Sequence, residues 1–129
     1  MKKVTGIGGI FFKSKDPKKL SAWYGQFLGM DAGDYGYNFT WYTDANSGTE
    51  GTTVWSPFDQ KTDYFKPSEK EFMINYRVEN LEALVEELTA AGIAMLDEIV
   101  VYSYGKFVHF LDPEGNKIEL WEPLEASDL

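Results

Sequence analysis

The sequence predicts an α+β fold of two βαβββ modules, whose curved mixed sheets enclose a concave cavity. Three observations support this prediction. An order of strand, helix, glycine and three strands occurs in residues 4–56 and again in residues 71–122. Both helical stretches carry apolar side chains at helical spacing and stop at a glycine. The remaining stretches alternate between two kinds of side chain, as half-buried strands do. The 129 residues therefore predict a single domain, in which residues 57–70 link the two modules.

The first module begins with a predicted strand over residues 4–13. Asp16 is a good N-cap for the helix that follows, and Pro17 is accepted in its first turn. The helix has one apolar stripe, formed by Leu20, Trp23, Tyr24, Phe27 and Leu28. This stripe predicts that Trp23 and Tyr24 pack in the core against the sheet. Residues 33–44 and 51–56 predict strands, the first with an aromatic face of Tyr35, Tyr37, Phe39 and Trp41.

Residues 57–70 are polar and bounded by prolines, which predicts a linker or surface loop. The second module starts with a predicted strand over residues 71–78. Asn80 then caps a second helix that ends at Gly92. Its buried stripe consists of Leu81, Leu84, Val85 and Leu88. Residues 93–103 predict one more strand before the closing hairpin.

The closing hairpin spans residues 105–123 and turns at Pro113–Gly115. The fixed φ of the proline and the positive φ available to the glycine suit a three-residue loop. The resulting register places His109 opposite Glu119 on one face, while the other face is uniformly apolar and belongs to the core. His109 is the single histidine of the chain. We therefore expect a functional site on the mixed face of this hairpin.

The concave faces of the two modules supply the candidate ligand-binding residues, which are Trp41, Trp55, Asn75, Arg77, Phe107 and Trp121. The aromatic side chains suit stacking on a flat ligand, and equally suit filling of the cavity or of a dimer interface. Arg77 is placed either to pair with Glu119 or to receive an anionic group of a ligand.

His109 and Glu119 are the candidate catalytic residues. A neighbouring carboxylate raises the pKa of a histidine and fixes its tautomer, which suits proton transfer near neutral pH. The alternative is a histidine that Glu119 or the backbone satisfies without any further role.

Composition excludes several classes of partner. The net charge of −9 disfavours nucleic acids and anionic membrane surfaces, because both need a basic patch. The absence of cysteine removes disulfides, Cys-ligated zinc and thiol catalysis. No apolar run is long enough to cross a membrane, and the N-terminal residues lack the features of a signal peptide. The expected localisation is cytoplasmic.

The hairpin sequence DPEGNKIELWEP, the preceding YGKF and the helical stretches DPKKLSAWYGQFLGM and VENLEALVEELTAAGI resemble the vicinal oxygen chelate superfamily. This superfamily includes glyoxalase I, bleomycin-resistance proteins, fosfomycin-resistance enzymes and extradiol dioxygenases. The resemblance covers nearly the whole chain. It implies the paired βαβββ fold, a small-molecule site in the concave cavity and a homodimer.

The resemblance also implies one metal ligand on each of the first, fourth, fifth and eighth strands. These positions fall on Gly9, Thr53, Met73 and Glu119, of which only Glu119 is a usual ligand type. His109 adds at most a second ligand, from a position that the family does not normally use. Two ligands fall short of a divalent-metal site. The sequence therefore predicts no cofactor, and it supports neither a divalent metal nor glyoxalase I chemistry.

The first functional hypothesis is a homodimeric, glyoxalase/bleomycin-resistance-like protein that binds a small aromatic or cationic compound without a standard metal centre. The acidic charge fits a cationic ligand. The alternative is a lyase or isomerase in which His109 and Glu119 transfer a proton, assisted by a metal only if an unrecognised ligand completes the site. A third hypothesis is an interaction module whose cavity is filled by Trp41, Trp55 and Trp121.

Overall fold

The structure is a computed structural model that describes residues 3–34, 36–42 and 49–124. In these residues the chain is α+β, as the sequence predicts, with two strands after the first helix where the predicted module has three, and three strands after the second helix. The elements in chain order are β1 (Val4–Ser14), α1 (Pro17–Leu28), β2 (Tyr37–Tyr42), β3 (Glu50–Asp59), β4 (Phe72–Val78), α2 (Leu81–Ala90), β5 (Val100–Tyr102), β6 (Gly105–Leu111) and β7 (Lys117–Pro123). Tyr35, predicted to belong to the aromatic strand, lies outside the described residues. Neither described helix is long and apolar enough to cross a membrane.

The strands form one curved, mixed sheet in the order β2-β3-β1-β4-β7-β6-β5. β1 pairs with β3 in parallel and β4 pairs with β7 in parallel, so the two halves repeat the same crossover. Antiparallel pairing of β1 with β4 joins the halves at the centre of the sheet. Each parallel pair requires a long connection, which α1 and α2 provide by crossing one face.

The helix signals in the sequence correspond to real caps. Asp16 Oδ1 accepts from the Lys19 backbone N–H at 3.1 Å, and Asn80 Oδ1 accepts from that of Ala83 at 3.1 Å. Gly29 takes a left-handed φ of 72° at the end of α1, a conformation that costs glycine little because it lacks a Cβ. The predicted helix boundaries are therefore confirmed to within two residues.

The two helices pack unequally on the sheet. α2 buries Leu81 and Leu84 against strand residues that include Val78, Val108 and Leu120, which form the main core cluster of the described residues. No residue of α1 is buried. The strand faces on which α2 packs are apolar in the sequence. Burial of apolar side chains therefore positions α2 on the sheet.

The prediction that Trp23 packs in the core is wrong. Trp23 is 50% exposed and Phe27 is 60% exposed. Tyr24, by contrast, contacts the sheet, with its ring 4.5 Å from that of Trp55. Helical spacing defines an apolar stripe, but it does not determine how much of that stripe the underlying strands cover.

Two strand boundaries differ from the sequence expectation. β3 continues to Asp59, three residues into the segment predicted as a linker, because its parallel pairing with β1 extends to the level of Ser14. Residues 93–99 do not form the predicted strand. There the backbone N–H of His109 is bonded to the Asp97 side chain at 2.8 Å instead of to a backbone carbonyl, and this replaces part of the strand ladder.

The segment between β3 and β4 is anchored from within. Phe65 is 1% exposed and lies 5.3 Å from the ring of Phe58, while Ser68 is also buried. A buried aromatic side chain in an irregular segment holds that segment against the sheet. The anchoring also fixes the position of Tyr64, the neighbouring residue.

Phe65→Ala should lower the free energy of unfolding by about 3 kcal/mol or more, because truncating a fully buried aromatic side chain leaves a cavity. Phe27→Ala, at an exposed position of the same residue type, should cost about 1 kcal/mol or less. Urea denaturation of both variants tests the difference. Equal losses of stability would contradict the anchoring role of Phe65.

Candidate functional site

Four residues form a row across the concave face of the sheet. Gly9 of β1 is in register with Asn75 of β4, Asn75 with Glu119 of β7, and Glu119 with His109 of β6. Residues in register on neighbouring strands point to the same face. The predicted juxtaposition of His109 and Glu119 therefore becomes part of a continuous polar row.

Glu119 is the centre of this row and is only 3% exposed. His109 Nε2 lies 2.7 Å from Glu119 Oε2. Asn75 Nδ2 donates to Glu119 Oε1 at 2.7 Å, and Asn75 is itself buried. Asn75, predicted to bind ligand, thus serves here to hold the carboxylate.

Tyr64 is a member of the site that sequence analysis missed. Its hydroxyl donates to Glu119 Oε2 at 2.5 Å and lies 3.3 Å from His109 Nε2. Tyr64 belongs to the segment predicted as a linker, where no periodicity indicates an inward direction. The aromatic pair Tyr64-Phe65, within an otherwise polar stretch, was the signal that this segment packs on the protein.

Asp97 is the second missed residue. Its Oδ2 lies 2.6 Å from His109 Nδ1, and its Oδ1 accepts from the His109 backbone N–H at 2.8 Å. Both imidazole nitrogens therefore face carboxylates. Since a carboxylate only accepts hydrogen bonds, both nitrogens must donate, and this requires the imidazolium form of His109.

Tyr64, Asn75, Asp97, His109 and Glu119 form one polar network, and its contacts determine the pKa shifts of its members. Burial alone would lower the pKa of His109, but the hydrogen bond and charge of Glu119, followed by those of Asp97, raise it above its ordinary value. Burial alone would raise the pKa of Glu119, yet hydrogen bonds from His109, Tyr64 and Asn75 lower it. Burial, with the nearby Glu119 charge, raises the pKa of Tyr64. The groups rest as imidazolium, carboxylate and protonated phenol.

Trp55 does not lie on the concave face, contrary to the prediction. Its ring packs on Tyr24 of α1 and, at 5.4 Å, on Phe12, which places it on the helix-covered face. The register explains the error. Val54 is level with Gly9 in β1–β3 just as Glu119 is level with Asn75 in β4–β7. Matching Thr53, instead of Val54, to Glu119 shifts β3 by one residue, which reverses every side chain of the strand.

The predicted ligand-binding aromatic residues Trp41, Phe107 and Trp121 pack against glycines of the sheet or against each other. Trp41 lies against Gly6 and Gly51, and its indole N–H donates to Thr53 Oγ1 at 2.7 Å. Phe107 and Trp121 stack with centroids 6.4 Å apart and planes within 9°.

Arg77 does not pair with Glu119, so the predicted salt bridge is absent. Arg77 Nη1 donates instead to Thr5 Oγ1 at 2.8 Å. The register explains this, because Arg77 is level with Trp121 on β7, two residues beyond Glu119. Parallel register therefore directs the guanidinium away from the carboxylate.

A cavity of about 490 Å³ opens on the concave side beside the network. Its lining consists of Phe11, Asp34, Val54, Ser56, Pro57, Phe58 and Tyr104. No residue of the polar network lines this cavity; Val54 is level with Gly9, and Phe58 stacks on Tyr64 with centroids 5.9 Å apart. None of the six predicted ligand-binding residues lines it. A larger cleft of about 900 Å³ lies between α1 and residues 31–34 and 36, and it shares Asp34, Ser56 and Pro57 with this cavity.

The residues at the implied metal positions do not fit a metal. By register, the residues at the four implied metal positions are Gly9, Val54, Asn75 and Glu119. The positions that the sequence assigned to Met73 and Thr53 are therefore those of Asn75 and Val54. Both Glu119 oxygens already accept hydrogen bonds. Asn75 Oδ1 lies against Gly8, where a Cβ would overlap it. No group of three or more His, Asp or Glu side chains within the described residues is arranged to hold a metal ion.

Comparison with known proteins identifies the family. The model of the glyoxalase-like domain matches residues 9–121. The chain belongs to this family. No curated protein sequence matches the chain closely enough to count as a relative.

Solved structures support the same fold. Methylmalonyl-CoA epimerase from Mycobacterium tuberculosis is 19% identical with a TM-score of 0.59, over 96% of this chain and 91% of that chain. A variant of Streptomyces coelicolor methylmalonyl-CoA epimerase, in complex with 2-nitronate-propionyl-CoA, is 15% identical with a TM-score of 0.65, over 93% and 98%. A glyoxalase/bleomycin resistance protein/dioxygenase superfamily member from Vibrio splendidus 12B01 is 13% identical with a TM-score of 0.55, over 90% and 97%. At these identities the similarity establishes the fold alone.

Because His109 is the single histidine, its titration is directly visible by NMR. The pKa of the imidazole should lie above its ordinary value of 6.5. Glu119→Gln should lower the pKa of His109 more than Asp97→Asn, because Glu119 contributes the larger favourable interactions. A histidine that titrates at its ordinary value in the unsubstituted protein would contradict the two-carboxylate arrangement.

The network should also shape stability against pH. The raised pKa of His109 stabilises the fold below 6.5, the ordinary histidine value, and that contribution is lost as pH rises through the folded pKa. The lowered pKa of Glu119 stabilises above 4.5, its ordinary value, and that contribution is lost as pH falls through the folded pKa. The midpoint temperature of thermal unfolding, measured from pH 4.5 to well above pH 6.5, should decline at the alkaline end of this range. His109→Gln should remove that decline; a profile unchanged by the substitution would contradict the linkage.

Proposed function

We propose that this glyoxalase-like protein binds a small, flat aromatic compound carrying positive charge in its concave cavity, without a standard metal centre. The observation that carries the proposal is the cavity lining. Phe11, Phe58 and Tyr104 supply aromatic faces, and Asp34 supplies a carboxylate at the same cavity. Aromatic faces attract both flat rings and cations, and the carboxylate favours a cation over an anion.

The surroundings of the cavity support a cation further. The chain carries a net charge of −9, which favours the approach of cations over anions. A cavity of about 490 Å³ falls within the range of small-molecule sites. The homodimer and the cytoplasmic location remain predictions from the sequence.

Binding fits the polar network better than proton transfer does. Glu119 accepts from three donors, and both nitrogens of His109 face carboxylates. A general base needs a lone pair directed at the substrate and a pKa near the working pH. Here the pKa of Glu119 is lowered and its oxygens are occupied. The alternative is a lyase or isomerase, and the two epimerase structures share the fold. For this alternative the polar network would first have to rearrange.

Isothermal titration calorimetry with two matched probes tests the proposal. Aminoacridine, a flat aromatic cation, should bind with one-to-one stoichiometry. Anthracene carboxylate, a flat anion of the same ring number, should not bind. Asp34→Asn should weaken the binding of aminoacridine about two- to fivefold, as expected for removal of an exposed charge.

Glu114→Gln is the control, because it removes one negative charge from the exposed hairpin turn and leaves the cavity intact. This variant should bind aminoacridine as the unsubstituted protein does. Equal binding of the cation and the anion, or equal effects of the two substitutions, would rule out the charged cavity as the site.

A further inference from the structure

Helix α1 leaves large apolar side chains on the surface. Trp23, Phe27 and Leu28 are 50%, 60% and 58% exposed, and the rings of Trp23 and Phe27 lie 5.2 Å apart. Phe27 follows Trp23 by four residues, so both rings lie on one side of the helix, and Leu28 adjoins them. We call this patch the α1 stripe. Single exposed apolar residues are ordinary, whereas a continuous patch of large ones marks an interaction surface.

A groove beside the first half of α1 complements the stripe. Its volume is about 570 Å³, and it is lined by Ser14, Lys15, Asp16, Lys19, Leu20, Trp23 and Tyr24. Phe27 and Leu28 are exposed at the other end of the helix. The same helix therefore offers a hollow at one end and large apolar side chains at the other, with Trp23 between them. A surface of this kind is complementary to a second, antiparallel copy of itself.

The charges along α1 are the reverse of those that its own dipole favours. Lys18 and Lys19 lie in the first turn, which has no acidic residue, and the last turn has no basic residue. The N-terminal end of a helix carries partial positive charge, so lysines are unfavourable there. Within the part of the chain that the structure describes, no ion pair involves Lys15, Lys18 or Lys19. An antiparallel second helix would bring its negative C-terminal end beside this basic end.

The distribution of charge along the sequence also favours a second copy as the partner. Residues 13–28 contain four lysines and one aspartate, in a chain whose net charge is −9. This basic segment attracts an acidic molecule, and a second copy of the chain is one. In an antiparallel pair the lysines of the two helices lie at opposite ends of the contact, so they do not face each other.

We infer that α1 is the interface of a homodimer, in which two copies of the helix pack antiparallel about a twofold axis next to Trp23. Lys19 and Phe27 are each four residues from Trp23, so the axis sets Lys19 of one copy opposite Phe27 of the other. Phe27 then fills the groove of the second copy, and Lys19 meets the C-terminal end of the facing helix. Because α1 packs on the face of the sheet opposite the concave cavity, this inference does not depend on the proposed function.

The size of the stripe predicts a weak dimer. Trp23 and Phe27 are each about half exposed, so two copies of this pair contribute about 400 Å² of apolar surface. Leu28 and the lysine stems add to this area, but the total stays at or below about 1,200 Å², the lower limit for stable specific interfaces. Dimerisation should therefore be reversible and depend on protein concentration.

Sedimentation velocity over a range of protein concentrations measures the dimer. Lys19→Glu should weaken dimerisation about fivefold or more, because each dimer contains two contacts of Lys19 with a helix C-terminal end. Lys18→Glu is the matched control, since Lys18 lies in the same turn but lines the cleft on the other side of α1. It should leave dimerisation unchanged. Both substitutions place a carboxylate in the first turn, so both should raise the midpoint temperature of unfolding of the dilute, monomeric protein. Equal effects of the two substitutions on dimerisation would overturn the inference.

Introduced cysteines test the antiparallel register, because the chain has none of its own. In an equal mixture of the Lys19→Cys and Gln26→Cys variants under mild oxidation, the mixed disulfide should form several times faster than either homodisulfide. Residue 19 of one copy lies near residue 26 of the other, whereas two copies of either residue are about 10 Å apart along the helix axis. Mass spectrometry distinguishes the three products. Faster formation of the homodisulfides would contradict the twofold axis at Trp23.

Trp23→Ala tests the stripe itself. This variant should dimerise at least about tenfold more weakly, because it removes the centre of the interface. Tyr42→Ala, at a 61% exposed aromatic position of the edge strand β2, should keep the dimer. Should Trp23→Ala fail to fold, the two lysine variants decide. The inference is overturned if Tyr42→Ala weakens the dimer and Trp23→Ala does not. It is also overturned if the unsubstituted protein is monomeric at every concentration, which would leave the stripe to another partner, such as an acidic peptide.

Discussion

Glu119 lies almost entirely out of water in the middle of the concave face, and a carboxylate in that position must be compensated. The compensation explains much of the surrounding structure. Asn75 reaches it across β4–β7, His109 across β6–β7, and Tyr64 from the segment between β3 and β4. Asp97 then balances the imidazolium that Glu119 induces. One buried charge thereby connects four separate parts of the chain.

The hydrogen bonds to Glu119 distinguish this site from a metal centre of the kind that the superfamily resemblance implies. The donors that surround Glu119 use the oxygens that a metal would need. Positions level with it are Gly9 and Val54 in the first half, neither of which has a ligand atom in its side chain. The fold is shared with the glyoxalase-like family, whereas the chemistry of the concave face is particular to these residues.

Sequence reasoning succeeded where a local pattern carries its own geometry. The caps at Asp16 and Asn80, the hairpin register and the apolar stripe of α2 follow from hydrogen-bond and periodicity rules that act within a few residues. It failed where the pattern was ambiguous by one residue. The similarity of VWSP to LWEP suggested a superposition that the strand register does not follow, and Trp55 was assigned to the wrong face in consequence.

The sequence alone thus determined the α+β class, the family resemblance, the opposition of His109 to Glu119 and the shortage of metal ligands, because each of these depends on local spacing or on residue type. The tertiary structure decided that Tyr64 and Asp97 complete the site. Tyr64 is 55 residues from Glu119, and its inward direction is set by the burial of Phe65. Asp97 is 12 residues from His109 and meets it only because the preceding strand ladder is interrupted. Contacts of this kind arise from packing between distant segments, and no local periodicity encodes them.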